Sequence, residues 1–241
     1  MNNGNEKMKS IGIPVAVLLV GMVLAAVFTF SFTEIAEGIA ESEVKAFDSA
    51  VIDFLKGIES ATLDQIMFYI TEMGSVWFIS LISVGMLLYL WFAKKDKPGI
   101  LFFIIAVGGG GLLTQILKYY YQRGRPSINP EIDAVGFSFP SGHSLGSLIF
   151  YGFLIYLLAK SQQPKTVKNI FGVTGVVIIL LIGISRIYLG AHFPSDVVAG
   201  FLGGAMWLML SLLALEWVKW RSTNHLQPIR SVRKMFVKIF N

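Results

Sequence analysis

Between Lys97 and Lys118 the chain reads PGILFFIIAVGGGGLLTQIL, residues 98–117, without one charged side chain. About 20 apolar residues in a helix span the roughly 30 Å hydrocarbon core of a bilayer, so this stretch predicts a transmembrane helix. Five further runs of similar character lie near 11–32, 75–92, 143–159, 170–187 and 196–218. With 54% hydrophobic and 13% aromatic residues over 241 positions, the chain carries more apolar surface than a soluble domain can hide. The expected fold is an all-α membrane protein, a six-transmembrane-helix bundle read as a single domain over 1–241. The first run follows a lysine-bearing start and is too long for the core of a cleaved leader, so it reads as a retained anchor. The fifth ends in Ser185-Arg186 shortly before Asp196, a spacing that also admits a re-entrant turn.

Charge in the connecting segments gives an orientation. Lys7 and Lys9, then Lys94, Lys95 and Lys97, then Lys160, Lys165 and Lys168, then the tail from Lys219 to Lys238 all fall on one side of a six-span arrangement. Lysine and arginine beside spans favour the cytoplasmic side, so both termini are expected inside a multi-pass plasma-membrane protein. The opposite side carries the acidic segment from Glu34 to Gly74, with Asp48, Asp53, Glu59, Asp64 and Glu72 among its acids and only Lys45 and Lys56 against them. Ile39, Phe47, Val51, Phe54, Leu55, Ile58, Leu63 and Ile66 recur there at helical intervals, which predicts an extracytoplasmic amphipathic helical cap. The tail at 219–241 repeats Leu226, Ile229, Val232, Phe236 and Ile239 among Arg230, Arg233, Lys234 and Lys238, the pattern of an interfacial helix drawn to anionic lipid.

The net charge of +5 is spread over short loops between apolar runs, so membrane orientation explains it and nucleic-acid binding is not expected. No residue is cysteine, which removes disulfides and thiolate metal sites. Gly108 to Gly111 lack the Gly-Lys-Ser/Thr of a phosphate loop and, with Gly200, Gly203 and Gly204, read as close helix packing. Trp77 with Tyr119, Tyr120 and Tyr121 on one side, and Trp91, Trp217 and Trp220 on the other, fit interfacial aromatic belts.

Three strings at the edges of spans ask for chemistry: Lys118 with Arg125-Pro126, Pro140-Ser141-Gly142-His143, and Ser185-Arg186 with His192 and Asp196. Charge beside lipid is costly, which makes a functional site the first expectation. Lys118, Arg125 and Arg186 suit one anion, since guanidinium forks match phosphate oxygens and an ammonium adds a point charge. Arg123 would add a fourth cation, suited to a diphosphate, although Glu131 and Asp133 follow it. Ser141 and the free amides near Gly142 would sit at a helix N-terminus, where peptide dipoles attract anions. Pro194 between His192 and Asp196 suits a first helical position, placing the carboxylate where it can orient the imidazole. Two histidines at one phosphate site suggest that His192 attacks phosphorus while His143 protonates the departing oxygen.

The strings K-x6-RP, PSGH and SR-x5-H-x3-D, running from Lys118 through Asp196, resemble the signature of the type 2 phosphatidic acid phosphatases at every position. The resemblance implies that Lys118, Arg125, Ser141, Gly142 and Arg186 bind the phosphoryl group. It also implies that His192 forms a phosphohistidine, Asp196 orients it and His143 is the general acid, with neither metal nor other cofactor. The expected activity is metal-independent hydrolysis of the terminal phosphate of a membrane lipid. Undecaprenyl diphosphate or phosphatidylglycerol phosphate is favoured over phosphatidic acid. A lipid phosphotransferase using the same phosphohistidine and a non-catalytic lipid-binding or transport protein are the alternatives. Vanadium haloperoxidases share these motifs but are soluble, which six spans argue against.

Overall fold

The computed structural model describes residues 3–126 and 136–239, with side chains described, in those ranges, between residues 18 and 222 except at Ala40. Eight α-helices make up the described architecture: α1 (Asn3–Ala40), α2 (Lys45–Lys56), α3 (Ala61–Glu72), α4 (Val76–Tyr89), α5 (Lys97–Tyr121), α6 (Gly142–Ala159), α7 (Lys165–Tyr188) and α8 (Pro194–Ile239). A π-helical turn at Leu90–Lys94 continues α4. Six segments are long and apolar enough to cross a membrane: Leu18–Ile39, Val76–Lys94, Lys97–Tyr121, Gly142–Ala159, Lys165–Tyr188 and Pro194–Ser222. The protein is thus an all-α, multi-pass membrane protein, as its sequence implies.

Two boundaries differ from the sequence reading. The first span, part of a helix that runs unbroken from Asn3 to Ala40, extends beyond residue 32 to Ile39, because Phe32 and Ala36, with Ile35 and Ile39, pack against Phe139 and Leu202 while Glu34 and Glu37 face outward. The fifth span is a continuous helix through Ser185-Arg186 to Tyr188, not a re-entrant turn. It stops where Gly190 takes a φ of +72°, a left-handed conformation that glycine adopts without steric cost, and the Ala191 and His192 amides then bond to the Arg186 carbonyl at 3.0 and 3.1 Å.

The bundle core gathers on α6, which contacts α4, α5, α7 and α8. Phe103 of α5 meets Phe150 and Phe153 of α6 edge-on at 6.3 and 5.2 Å between ring centres, with Leu90, Ala106, Leu145, Ile149 and Leu215 buried around them. Outward faces are the reverse of a soluble protein's: Val76, Trp77 and Phe92 are largely exposed, as a hydrocarbon solvent allows. The glycine reading holds between α6 and α8, where a Cβ on Gly200 would lie 2.7 Å from the Ser141 carbonyl and one on Gly204 2.9 Å from that of Leu145. Gly109 and Gly110 similarly admit Trp207 and Ile149, whereas Gly108 and Gly111 face open space. Tyr119, Tyr120 and Trp77 are exposed as a belt requires, but Tyr121 turns inward onto Phe32 and Phe139.

The acidic segment forms the end of α1 and helices α2 and α3, with α2 packed on α7 and α8 and α3 on α7. Tyr188 fastens this cap: its hydroxyl donates to Asp64 Oδ1 at 2.6 Å and accepts from the Ser60 amide at 3.2 Å. At the other terminus α8 continues unbroken to Ile239. The tail side chains beyond Ser222, His225 included, and the loop holding Glu131 and Asp133 lie outside the described residues.

Candidate active site

The ends of α5 and α7 and the starts of α6 and α8 fall together at one end of the bundle, and with the segments that join them they carry every residue singled out in the three strings. Ser141 is the N-cap of α6, with extended backbone and an Oγ that accepts from the Ser144 amide at 3.4 Å and the Ser144 hydroxyl at 2.9 Å. Its own amide donates to the Asp196 carbonyl at 3.0 Å, which ties the start of α6 to the start of α8. Gly142 and His143 form the first turn of α6, and His143 shares a cavity of about 430 Å³ with Arg186, Thr71, Glu72 and Trp77.

The cations are held by backbone oxygens and neighbouring side chains. Lys118 Nζ donates to the Phe137 carbonyl at 2.7 Å, and Arg125 NH2 donates to the same oxygen at 3.3 Å. Arg125 also reaches Gly136 and Ala191 carbonyls at 3.0 and 2.7 Å, with NH1 lying 3.3 Å from His192 Nε2. Arg186 is 3% exposed; its NH1 donates to Thr71 Oγ1 at 2.9 Å while its Nε has no partner among the described residues. A buried, unsatisfied guanidinium N–H marks a place where an acceptor belongs, and a phosphoryl oxygen is such an acceptor.

His192 is 2% exposed, and burial pushes its pKa down to about 4, with Asp196 opposing the shift and Arg186 and Arg125 reinforcing it. The ring is therefore neutral near pH 7, and its neighbours choose the tautomer. Nδ1 faces Asp196 Oδ2 at 3.5 Å and Ser138 Oγ at 3.3 Å, so the proton belongs there. Nε2 faces an arginine, which can only donate, so it carries the lone pair. The unprotonated nitrogen thus points towards the cations, where an anion would be drawn.

Asp196, fully buried in the first turn of α8, supports that ring with several partners of its own. Its Oδ2 accepts from the Ser138 hydroxyl and, at 2.9 Å, from the Phe193 amide; its Oδ1 accepts from Arg123 NH1 at 2.6 Å. Arg123 is accordingly not the fourth phosphate cation that its place in the sequence suggested. It lies between Asp196 and Asp48, with NH2 2.8 Å from Asp48 Oδ2, and stacks 4.2 Å over Phe193. Asp48 in turn accepts from the Ser195 amide at 2.8 Å and the Ser195 hydroxyl at 2.7 Å.

Of the eight residues expected from the three strings, Lys118, Arg125, Ser141, Arg186, His192 and Asp196 are joined by hydrogen bonds, directly or through a shared backbone oxygen, Gly142 and His143 follow Ser141 in the first turn of α6, and Ser138, Thr71, Arg123, Asp48 and Ser195 join the network. Asp48 had a sequence signal: it falls in register with Val51, Ile52 and Leu55 on the buried stripe of α2, where an isolated acid requires partners. Ser138 and Ser195 had none.

A neutral ring nitrogen facing convergent cations is equipped to draw in an anion and attack it, and relatives of this chain are phosphatases. Phosphatidylglycerophosphatase B of Bacillus subtilis (strain 168) is 34% identical over 185 residues, covering 74% of this chain and 88% of that protein. Undecaprenyl-diphosphatase of Sulfolobus acidocaldarius is 31% identical over 186 residues, covering 73% and 77%. The crystal structure of a transmembrane PAP2-type phosphatidylglycerolphosphate phosphatase from Bacillus subtilis matches with a TM-score of 0.67 at 31% identity, over 82% of this chain and 93% of that one. The class these findings define is a multi-pass membrane phosphatase. A family model described as the PAP2 superfamily matches residues 99–220, half of the chain and all three strings, and the chain belongs to that family.

Proposed function

We propose that this protein hydrolyses the terminal phosphate of a membrane lipid phosphate or diphosphate through a phosphohistidine on His192. The observation that carries the reading is the neutral His192 ring, its Nδ1 proton turned to Asp196 and Ser138 and its Nε2 turned to Arg125. Lys118, Arg125 and Arg186, with Ser141 and Gly142 at the start of α6, bind the phosphoryl oxygens. His192 Nε2 attacks phosphorus as the bond to the lipid oxygen breaks, and His143 gives that oxygen its proton. Water then attacks phosphorus as the neutral His143 takes a proton from it, the phosphorus–nitrogen bond breaks with its electron pair returning to Nε2, and inorganic phosphate leaves. Three cations neutralise the developing charge, so no divalent metal is needed. The site faces the extracytoplasmic side with both termini in the cytoplasm, supported by the lysines that flank the opposite ends of the spans.

The substrates in view are phosphatidylglycerol phosphate and undecaprenyl diphosphate, with phosphatidic acid as a third. With Arg123 held between two carboxylates, the electrostatic reason to prefer a diphosphate is weaker than the sequence suggested. Purified protein in detergent containing EDTA, given each lipid in turn, should release phosphate from at least one of them, and vanadate should inhibit. No release from any lipid phosphate would reject the function, and a strict requirement for added metal would reject the mechanism.

A further inference from the structure

We infer that Arg123 and Asp48 are positioning residues for the attack on phosphorus, with Asp48 on the cap helix α2 holding Arg123 against Asp196 so that Asp196 holds the His192 ring. The inference rests on His192 being the nucleophile. It assigns the extracytoplasmic cap a part in the chemistry, beyond covering the bundle.

The geometry separates Arg123 from the phosphate-binding cations. Its NH1 donates to Asp196 Oδ1 at 2.6 Å and Ser195 Oγ at 2.8 Å, its NH2 to Asp48 Oδ2 at 2.8 Å, and its Cζ lies 4.2 Å over the Phe193 ring. The side chain is 14% exposed between carboxylates that are 4% and 0% exposed, so its charge is spent on two buried anions. Asp196 must keep Oδ2 towards His192 Nδ1, and a carboxylate can turn about its last bond. Arg123 on Oδ1, opposed by Ser138 and the Phe193 amide on Oδ2, prevents that turn. Without the guanidinium, Oδ1 would be a buried acceptor with no donor there, beside a charge that has lost its closest counter-ion. Rotation or protonation of Asp196 would relieve the strain, and either one releases the ring.

Asp48 acts one step further back, and doubly. Its Oδ2 fixes Arg123, while Oδ1 accepts the Ser195 amide and Oδ2 also accepts the Ser195 hydroxyl, so the same carboxylate pins the first turn of α8 next to Asp196. An anion at that helix start is favoured by the peptide dipoles. In Asp48→Asn the amide nitrogen would have to face either the Arg123 NH2 or the Ser195 amide, donor against donor, at nearly unchanged volume.

The test is rapid-quench measurement of the phosphoenzyme burst with radiolabelled short-chain phosphatidylglycerol phosphate on detergent-purified wild type, Asp48→Asn, Arg123→Gln and Arg123→Lys. Each protein is also titrated with vanadate, which reads the integrity of the anion pocket. Asp48→Asn and Arg123→Gln should slow the burst by about 10- to 100-fold, as loss of an orienting partner does elsewhere, with KM and vanadate affinity held within about threefold. Arg123→Lys, which keeps the charge but loses the fork, should recover part of the burst rate. A raised KM with an unchanged burst would make Arg123 a substrate contact and overturn the inference. Loss of vanadate affinity in parallel with the burst would reduce both residues to a folding role and overturn it equally. If Asp48→Asn does not fold, the two Arg123 variants decide the question by the same readings. A wild type that carries no covalent label on His192 at any quench time would instead refute the His192 reading and take this inference with it, whereas a wild-type labelling rate matched by all variants would refute the inference alone.

Discussion

Gly200→Ala places one methyl group where α6 and α8 touch and should reach the chemistry through the backbone. The new Cβ would stand 2.7 Å from the Ser141 carbonyl oxygen, 3.0 Å from Ser144 Cβ and 3.4 Å from the Leu145 amide nitrogen. Non-bonded atoms settle at about 3.5 Å, so the helices must separate locally by about 0.8 Å. The moving part is the start of α6, with Ser141, Gly142 and His143, while Asp196 stays on α8. Overpacking costs about 1–3 kcal/mol, and alanine returns about 1 kcal/mol of helix propensity over glycine, so stability should fall by about 0–2 kcal/mol. Activity should fall further, because a misplacement near 1 Å in a catalytic constellation costs on the order of 100-fold. Steady-state phosphate release and thermal unfolding in the same detergent measure the two effects, with Gly108→Ala and Gly111→Ala, which face open space, as controls. Gly200→Ala with kcat within about twofold of those controls would refute the link from helix contact to site.

The depressed pKa of His192 carries a pH signature in stability. In the unfolded chain the ring titrates near pH 6.5, whereas in the folded protein it stays neutral down to about pH 4, so its contribution is complete above pH 6.5 and is lost as pH falls towards 4. The loss amounts to about 3 kcal/mol across that window, and His192→Gln should flatten the corresponding part of the melting-temperature profile; coincident profiles would contradict a buried neutral ring. Topology is tested by introduced cysteines, since the chain has none of its own. In intact cells an impermeant thiol reagent should label Ser49→Cys on α2 and spare Ser161→Cys between α6 and α7, and the reverse pattern would put the site on the cytoplasmic side.

The six spans were legible because lipid leaves a helix little choice: long uncharged runs must cross, and charged residues mark their ends. The start of α6 was legible because Pro140-Ser141-Gly142 joins a capping residue to a helix start, and the start of α8 because Pro194 suits a first helical turn. Arg123 shows where such reasoning stops. The K-x6-RP spacing singles out Arg125, but nothing near Arg123 in sequence says what it binds, and its role is set by Asp48 and Asp196, 75 and 73 residues away. Ser138 and Ser195 are as obscure, being short polar residues whose partners only the fold supplies. The end of α1 misled for a different reason: Glu34 and Glu37 look like the close of a span, yet they face outward while Phe32, Ala36 and Ile39 continue the buried stripe. Asp48 lay between these cases, an acid on the apolar stripe of α2 that announced a buried partner without naming it.

The central claim is that His192 becomes covalently phosphorylated, and trapping that intermediate tests it most directly. Wild-type protein mixed with radiolabelled lipid phosphate, quenched in denaturant at alkaline pH and digested, should yield one labelled peptide containing His192. The label should be stable to base and lost in acid, as expected of a phosphorus–nitrogen bond, and absent from His192→Ala protein, whose turnover should fall by on the order of 10³-fold or more. An acid-stable label, a label on His143, or a His192→Ala protein retaining about a tenth of wild-type turnover would contradict the account.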